Sequence, residues 1–257
     1  MTTAGIGIDA GSTTCKVVAV DAAGTIVAGR IEPSHPRVEQ QVREMRDAML
    51  AGLGAAPDLP AVATGYGRKL VTGADRVVTE ITCHARGAYH HTGTAGTLVD
   101  LGGQDSKVVM VGADGRPLDF AMNDKCAAGT GRFLEHTAGR LAVEVTQLGD
   151  RSLASPAEEA ISSTCTVFAE SEIISLIAGG ADVDAILRGL HRSLVSRLAA
   201  LVHSVAWQAP VWLSGGVALN PAVGEMLSES LASTVTVIPD PQLTGAHGAA
   251  LIAAEAG

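Results

Sequence analysis

Asp9-Ala10-Gly11-Ser12-Thr13-Thr14-Cys15-Lys16 is a stretch whose pattern returns at Asp100-Leu101-Gly102-Gly103-Gln104-Asp105-Ser106-Lys107. Aligned without gaps, the two stretches share the pattern Asp-x-Gly-x4-Lys at a constant offset (100 − 9 = 91). An apolar run precedes each aspartate, and a valine-rich run follows each lysine and ends near Gly24 or Gly115. The pattern predicts a strand–turn–strand hairpin at both places, and its repetition indicates two related sheet units.

Each predicted turn has the chemistry of a phosphate-binding loop. Backbone N–H groups in a Gly-Ser-Thr turn can surround phosphate oxygens, and a carboxylate such as Asp9 can hold a hydrated magnesium ion. For one turn alone, an ordinary hairpin with a polar turn is the better interpretation. Two matching turns facing each other would form a clamp on a polyphosphate. No Gly-x4-Gly-Lys-Ser/Thr sequence is present, so the chain is not a P-loop protein.

Two of the four cysteines precede predicted helices. Cys126 lies in the stretch Asn123–Glu135, and Cys165 lies in Ser162–Thr166 ahead of a helix that should end at Gly179-Gly180. Free N–H groups and the macrodipole at a helix N-terminus favour an anion such as a thiolate. The alternative is that both are inert core thiols, which is a common use of cysteine. Cys15 and Cys83 are interpreted as packing residues.

Composition excludes several classes of protein. The chain has 257 residues and a net charge of −9, and it contains no run of lysine and arginine, which argues against nucleic acid or an anionic membrane as a partner. The apolar region from Leu194 to Leu213 is interrupted by charged and polar residues, so it is not a membrane span. A strand-like run begins at Ile6 and leaves no room for a signal peptide. We expect a cytoplasmic protein with reduced thiols.

The remaining pattern alternates helices and strands. Apolar residues at helical spacing predict amphipathic helices over 38–49 and 186–201. A strand at Val211–Leu213 runs into Gly215-Gly216, which either permits close approach by a ligand or makes a tight strand–helix turn. The last strand is expected at Val235–Ile238, and a terminal helix is expected to open at Gly245.

Together, these features resemble the ATPase superfamily of actin, hexokinase and the heat-shock chaperones. The resemblance implies an α/β fold of two related ribonuclease-H-like (actin-like ATPase) domains with nucleotide in the cleft between them. The first domain would comprise residues 1–92 and 241–257, and the second would comprise residues 93–240. The two hairpin turns resemble the two phosphate loops, and Ser214 to Asn220 resembles the adenosine loop.

One branch of this superfamily is a closer match. The segments that carry the resemblance are Ala63–Arg68, Asp100–Lys107, Asn123–Glu135, Ser162–Glu172 and Ser214–Asn220. They resemble the activator component of 2-hydroxyacyl-CoA dehydratases, which is similar to the ATPase subunits of benzoyl-CoA reductase. The resemblance implies a homodimer that holds one [4Fe-4S] cluster through Cys126 and Cys165 of each subunit. A cubane needs four thiolates, and a two-fold axis doubles the two that one chain supplies.

The implied activity is transfer of one electron, driven by ATP hydrolysis, from a ferredoxin or flavodoxin through the cluster to an iron–sulfur dehydratase or reductase. ATP/ADP and Mg are the other implied cofactors. The implied magnesium residues are Asp9 and Asp100, and Gln104 or Asp105 would position the attacking water. The implied nucleotide-binding residues are Gly11, Ser12, Thr13, Thr14, Lys16, Gly102, Gly103, Gln104, Gly129, Gly215, Gly216, Asn220, Gln242 and Gly245. A polar residue would be expected near Leu219, where the chain has an apolar one.

Other functions remain open at this level. The acceptor could be benzoyl-CoA reductase or another low-potential iron–sulfur enzyme. A small-molecule kinase of the same fold would use the cleft for a sugar or acid and leave both cysteines in the core. A non-enzymatic module switched by ATP is a third interpretation. The short domains leave little inserted chain to build an acceptor pocket, which argues against the kinase.

Overall fold

The computed structural model describes residues 3–162 and 165–256. The strands are β1 (Thr3–Ala10), β2 (Thr14–Asp21), β3 (Ile26–Pro33), β4 (Ala61–Thr64), β5 (Arg76–Val77), β6 (Gly96–Leu101), β7 (Ser106–Val111), β8 (Pro117–Asn123), β9 (Val211–Ser214) and β10 (Val235–Val237). The helices are α1 (Val38–Leu53), α2 (Glu80–Thr92), α3 (Gly131–Leu141), α4 (Leu148–Ala154), α5 (Thr166–Ala178), α6 (Val183–Val202), α7 (Pro221–Leu231) and α8 (Thr244–Ala254).

The strands form two five-stranded sheets, in the orders β3-β2-β1-β4-β5 and β10-β9-β6-β7-β8. In the first sheet, β1 and β2 pair antiparallel with Asp9 opposite Lys16, and β4 runs parallel to β1. In the second sheet, β9 and β10 are parallel. Mixed sheets with connecting helices confirm the predicted α/β class and the predicted strand–turn–strand structure of the first stretch.

By internal contacts the chain divides into two compact units. One comprises Met1–Leu98, Val109–Leu118 and Ile238–Gly257, and the other comprises Val99–Val108 and Asp119–Val237. In the first unit, the predicted apolar stripe of α1 is buried with β1, β2 and β4. In the second, the predicted stripe of α6 is buried together with α3, α4 and α7. Each unit therefore has a hydrophobic core of its own.

The C-terminal helix α8 crosses α2 at very short range. A Cβ on Gly248 would overlap the carbonyl oxygen of Cys83, and a Cβ on Gly87 would overlap that of Thr244. Glycine at these positions lets the backbones of α2 and α8 touch. The small residues after Gly245 predict such close packing of the terminal helix. Among the helices that the structure describes, none combines the length and apolar character that crossing a bilayer requires.

A buried histidine joins α8 to the β2–β3 turn. The Nε2 atom of His247 lies 2.8 Å from the carbonyl oxygen of Gly24, and its Nδ1 atom lies 3.1 Å from Nε2 of His91. Nε2–H of His247 must donate to the carbonyl, so Nδ1 accepts a hydrogen bond from His91. Burial lowers the pKa of His247 to about 4, so the ring is neutral at physiological pH.

Replacing Gly248 with alanine should lower the free energy of unfolding by roughly 1–3 kcal/mol, because the added methyl group forces α2 and α8 apart. Urea denaturation followed by circular dichroism measures the change.

Gly52 on α1 is the matched control, because a Cβ there meets no neighbouring atom. Gly52→Ala should be neutral or stabilise by up to about 1 kcal/mol, since alanine favours the helix. Equal stabilities for both variants would show that the helix crossing is not close-packed.

Candidate functional site

The first hairpin turn forms around Asp9 and Lys16. Nζ of Lys16 lies 3.0 Å from Oδ2 of Asp9, which is itself buried at the end of β1. The carbonyl of Gly11 accepts a hydrogen bond of 2.7 Å from the Ser34 hydroxyl, which anchors the turn to the chain after β3. Ser12 is exposed and Thr14 is partly buried. The turn thus presents hydroxyls beside a carboxylate–ammonium pair.

Thr13 supplies an observation that points toward a ligand. Its hydroxyl oxygen is buried and has no hydrogen-bond partner within the part of the chain that the structure describes. A buried polar atom without a partner is unfavourable unless something else satisfies it. A phosphate oxygen or a magnesium-bound water would do so.

The Thr64-Gly65-Tyr66-Gly67-Arg68 segment lies beside Asp9. Thr64 at the end of β4 is in register with Asp9 of β1. Gly65 follows with φ of 90°, and a Cβ there would overlap Oδ1 of Asp9, so only glycine permits this approach. Arg68 donates to the Gly65 carbonyl at 2.9 Å. Ala63–Arg68 is one of the segments that carry the family resemblance, but no role was predicted for its residues, although two glycines after a buried strand were the available signal.

The second hairpin turn encloses a buried lysine between two carboxylates. Nζ of Lys107 lies 2.7 Å from Oδ2 of Asp105 and 3.5 Å from Oδ2 of Asp100, and the Lys107 side chain is 3% exposed. Oδ1 of Asp100 accepts a hydrogen bond of 2.7 Å from Ser214 at the end of β9. Asp100 is therefore held by groups from two strands.

The predicted adenosine loop, Ser214 to Asn220, begins at the last residue of β9. Gly215 has φ of 90° and its Cα packs against the backbone of Leu101, and residues 216–219 form one turn of 3₁₀ helix. Leu219 at the end of that turn is exposed. The exposed apolar side chain stands where the resemblance implied a polar group.

The side chain of Asn220 is engaged on both of its polar atoms. Its Oδ1 accepts from the backbone N–H of Ala222 and so caps α7, and its Nδ2 donates to Nε2 of the buried His191 at 2.9 Å. Nδ1–H of His191 donates to the Leu187 carbonyl, which fixes the tautomer. These bonds give Asn220 a structural role in fixing the loop, and its role as a nucleotide ligand stays a prediction.

Gln242 and Gly245 belong to the other unit, with the first hairpin turn. Gln242 lies in a short 3₁₀ turn ahead of α8 and is partly exposed. Gly245 is buried, and a Cβ there would lie 2.7 Å from Cε1 of His84. Packing against His84 is enough to require this glycine.

Cys126 is exposed and its backbone is held from both sides by Asn123. The N–H of Cys126 donates to Oδ1 of Asn123 at 3.1 Å, and Nδ2 of Asn123 donates to the Cys126 carbonyl at 2.9 Å. Cys126 caps a 3₁₀ turn over residues 127–129, and the α-helix itself begins only at Gly131. The small residues after Cys126 predict a turn ahead of the helix, and the structure shows that this turn has 3₁₀ geometry.

The start of α3 is bonded directly to the second hairpin turn. The N–H of Gly131 donates to the Gly102 carbonyl and that of Arg132 donates to the Gly103 carbonyl, both at 2.9 Å. A Cβ on Gly131 would lie 2.8 Å from Cγ2 of Val217 and 3.2 Å from the Gly102 oxygen, so the contact requires glycine. The predicted phosphate turn and the helix after Cys126 are thus one connected structure.

Cys165 is partly exposed and is the N-cap residue of α5, as predicted. Ser163 and Thr164 of the predicted turn lie outside the described residues. The helix ends at Ala178 with Gly179 as its C-cap. Arg140 of α3 pairs with Glu170 of α5 at 2.6 Å, so the two helices that follow the two cysteines are joined by an ion pair.

The other two cysteines are fully buried. Burial is the main cause that raises the pKa of the Cys83 thiol to about 12, and it also raises the pKa of Cys15. Both thiols are neutral and inaccessible, as the packing interpretation predicts. In residues 3–162 and 165–256, no three or more histidine, cysteine, aspartate or glutamate side chains come together as a metal site.

Comparison with known proteins gives the family. Residues 6–253 match the model of the BadF/BadG/BcrA/BcrD ATPase family. The chain belongs to this family.

Its relatives include named activators. A solved structure of the activator of the 2-hydroxyisocaproyl-CoA dehydratase from Clostridium difficile, with bound ADPNP, is 41% identical with a TM-score of 0.91, and the match covers 98% of this chain and 94% of that one. An (R)-2-hydroxyglutaryl-CoA dehydratase activating ATPase from Acidaminococcus fermentans is 41% identical over 96% of both chains. A benzoyl-CoA reductase subunit from Thauera aromatica is 32% identical over 78% of this chain and 73% of its own.

A ROK family glucokinase from Streptomyces griseus is 17% identical with a TM-score of 0.59, over 98% of this chain and 99% of that one. At this identity the likeness shows the fold alone. The comparisons confirm both the actin-like ATPase fold and the branch that the sequence resembles.

In folded protein from which any bound metal has been removed, iodoacetamide at pH 8 should modify Cys126 and Cys165 and spare Cys15 and Cys83. The reason is exposure together with thiolate content, because a thiol of pKa about 12 is deprotonated in roughly one molecule in ten thousand at pH 8. Peptide mass spectrometry after timed quenching gives the four rates.

Denatured protein serves as the control, since all four thiols should then react alike. Modification of Cys83 in folded protein as fast as that of Cys126 would contradict the burial described above.

Proposed function

We propose that this protein hydrolyses ATP to drive transfer of one electron from a ferredoxin or flavodoxin to a partner iron–sulfur enzyme such as a 2-hydroxyacyl-CoA dehydratase. The observation that carries the proposal is the pair of hydrogen bonds from Gly131 and Arg132 to the second hairpin turn, because they tie a phosphate-type turn to the segment of Cys126. The names of the relatives support a dehydratase or reductase as the acceptor.

Both hairpin turns would act on the phosphates of one ATP molecule. Asp9 and Asp100 would hold hydrated magnesium, and the N–H groups of residues 11–14, 103 and 104 would surround phosphate oxygens. The unpartnered Thr13 hydroxyl and the partly exposed Lys16 support a phosphate beside the first turn. Gly215 and Gly216 would let the nucleoside approach the backbone closely, and the ADPNP-bound relative supports a nucleotide as the ligand.

Cys126 and Cys165 fit the ligand set of a [4Fe-4S] cluster that two copies of the chain share. They are the two accessible thiols, and Cys165 stands at the N-terminal end of α5, whose first N–H groups stabilise negative charge. Two thiolates from each copy complete the four that a cubane requires, which fits the lack of a metal site within the described residues of one chain. When bound, the cluster would accept and release one electron.

The face of α5 supports a homodimer. Val167, Phe168, Ile174 and Ile177 are large apolar side chains that lie exposed on the helix that Cys165 caps. A cluster of exposed apolar residues marks an interaction surface, and a second copy that reached Cys165 would cover it.

Nucleotide state would reach Cys126 through backbone contacts of this chain. A change at Gly102 and Gly103 alters the partners of the first two N–H groups of α3. Just before α3, the Thr130 hydroxyl donates a hydrogen bond to the carbonyl of Ala127. Asn123 in turn donates to the carbonyl of Cys126 and so fixes its backbone. Gly129 would act here, through its tight contact with Asn123, and not at the nucleotide itself.

Anaerobically purified wild-type protein should be a dimer with about four irons and four sulfides per two chains. Cys126→Ala and Cys165→Ala should each lose most of this iron, because each removes two of four ligands from the shared site. Native mass spectrometry with iron and sulfide analysis measures both quantities.

Cys15→Ala is the matched control, since Cys15 is a buried thiol of the same chain and should leave the iron content unchanged. Full iron in Cys126→Ala, or four irons on a monomer, would refute the proposed ligand set.

A further inference from the structure

We propose that Gln104 positions the attacking water, and that Asp105 is a positioning residue that Lys107 holds away from that role. The inference rests on the proposed ATP hydrolysis and names which of two adjacent polar side chains in the second hairpin turn acts on the reacting atoms. It is carried by the separate environments that the structure gives the two residues.

The carboxylate of Asp105 forms an ion pair with Lys107. The ammonium group of Lys107 is almost fully buried and lies 2.7 Å from Oδ2 of Asp105 and 3.5 Å from Oδ2 of Asp100. A buried ammonium is tolerated only when carboxylates neutralise it. Removal of a proton from water by Asp105 would remove one of those negative charges, so the ion pair opposes a role as general base.

Asp105 also shapes the turn. The N–H of Gly102 donates to the Asp105 carbonyl at 2.9 Å. Oδ1 of Asp105 lies 2.6 Å from the position that a Cβ on Gly102 would occupy, so the carboxylate is folded back over that glycine. The side chain therefore points along its own turn and supports the backbone of residues 102–105.

The first turn differs at the aligned positions. Thr14 stands where the second turn has Asp105 (105 − 91 = 14), and the Lys16 side chain is 15% exposed whereas that of Lys107 is 3% exposed. The additional carboxylate thus accompanies the deeper lysine. Lys16 is thus the more accessible of the two lysines, whereas Lys107 is enclosed with Asp100 and Asp105.

Gln104 has the opposite environment. Its side chain is exposed, and the turn just before it is fixed because Gly102 and Gly103 accept hydrogen bonds from the start of α3. A primary amide can accept a hydrogen bond from water through Oε1 and donate to a phosphate oxygen through Nε2. Phosphoryl transfer requires mainly this kind of positioning, since the transition state is loose and has little need of a strong base.

The step is hydrolysis of ATP by one water molecule. The water oxygen forms a bond to the γ-phosphorus while the bond from that phosphorus to the β–γ bridging oxygen breaks. The products are ADP and inorganic phosphate, and the proton of the water ends on phosphate or in solvent. Gln104 neither gains nor loses a proton, so its contribution has no pKa of its own.

Anaerobic ATPase assays on the intact protein with its iron, combined with ADPNP titrations, test the assignment. Gln104→Ala should lower kcat at least about tenfold and change the Kd for ADPNP by less than about threefold, because it removes alignment and not phosphate binding. Asp105→Asn should lower the melting temperature, because buried Lys107 loses a charged partner. It should keep the acidic limb of the pH–rate profile, that is, any decrease in kcat that wild-type protein shows as the pH is lowered. Asp114→Asn, which removes an exposed carboxylate from the next turn, should match wild type.

Near-normal kcat in Gln104→Ala would overturn the inference on its own, even if Asp105→Asn does not fold. Loss of the acidic limb in a folded Asp105→Asn variant would overturn it as well, and would make Asp105 the base. If wild-type protein neither binds ADPNP nor hydrolyses ATP, the proposed function fails instead, so the two failures are distinguishable.

Discussion

Two backbone hydrogen bonds, from the N–H groups of Gly131 and Arg132 to the carbonyls of Gly102 and Gly103, connect the parts of this protein on which its function would depend. The first N–H groups of any helix have no partner within the helix. Here the carbonyl groups of a hairpin turn accept hydrogen bonds from the first two of these N–H groups. Gly131 is buried at this contact. Movement of the turn without α3 would leave these groups unpaired, so a ligand that moves one is expected to move the other.

The two hairpin turns share a pattern but differ in the surroundings of their lysines. In the first, Lys16 pairs with Asp9, and the buried Thr13 hydroxyl of the same turn has no hydrogen-bond partner among the described residues, an arrangement suited to an incoming anion. In the second, Lys107 is used to hold Asp100 and Asp105, and the turn is bonded to a helix. The repeat therefore provides one turn suited mainly to binding and one suited both to binding and to transmitting the change.

The sequence was sufficient for the features that rest on local pattern. The hairpin at Asp9, the helix from Cys165 to Gly179 and the buried stripe of α6 all follow from spacing of apolar residues and glycines. It did not predict the bond between Gly131 and Gly102, because those residues are far apart in sequence and meet only in the folded chain. Strand β8 was also missed, although Leu118, Phe120 and Met122 alternate along it; in the structure these apolar side chains are exposed. The capping role of Asn220 was hidden too, since it depends on the buried His191 from α6.

We propose that nucleotide at the hairpin turns alters the surroundings of Cys126. The most direct test is the rate at which an iron chelator removes the cluster from anaerobic protein, measured with no nucleotide, with ADP and with ADPNP. The rate with ADPNP should differ from that with ADP, since the γ-phosphate distinguishes the two ligands and only a ligand with differential affinity can shift a conformational equilibrium. The variant Gly131→Ala, which crowds Gly102 and Val217, should retain iron but lose this difference. Identical rates in wild-type protein under all three conditions would contradict the claim.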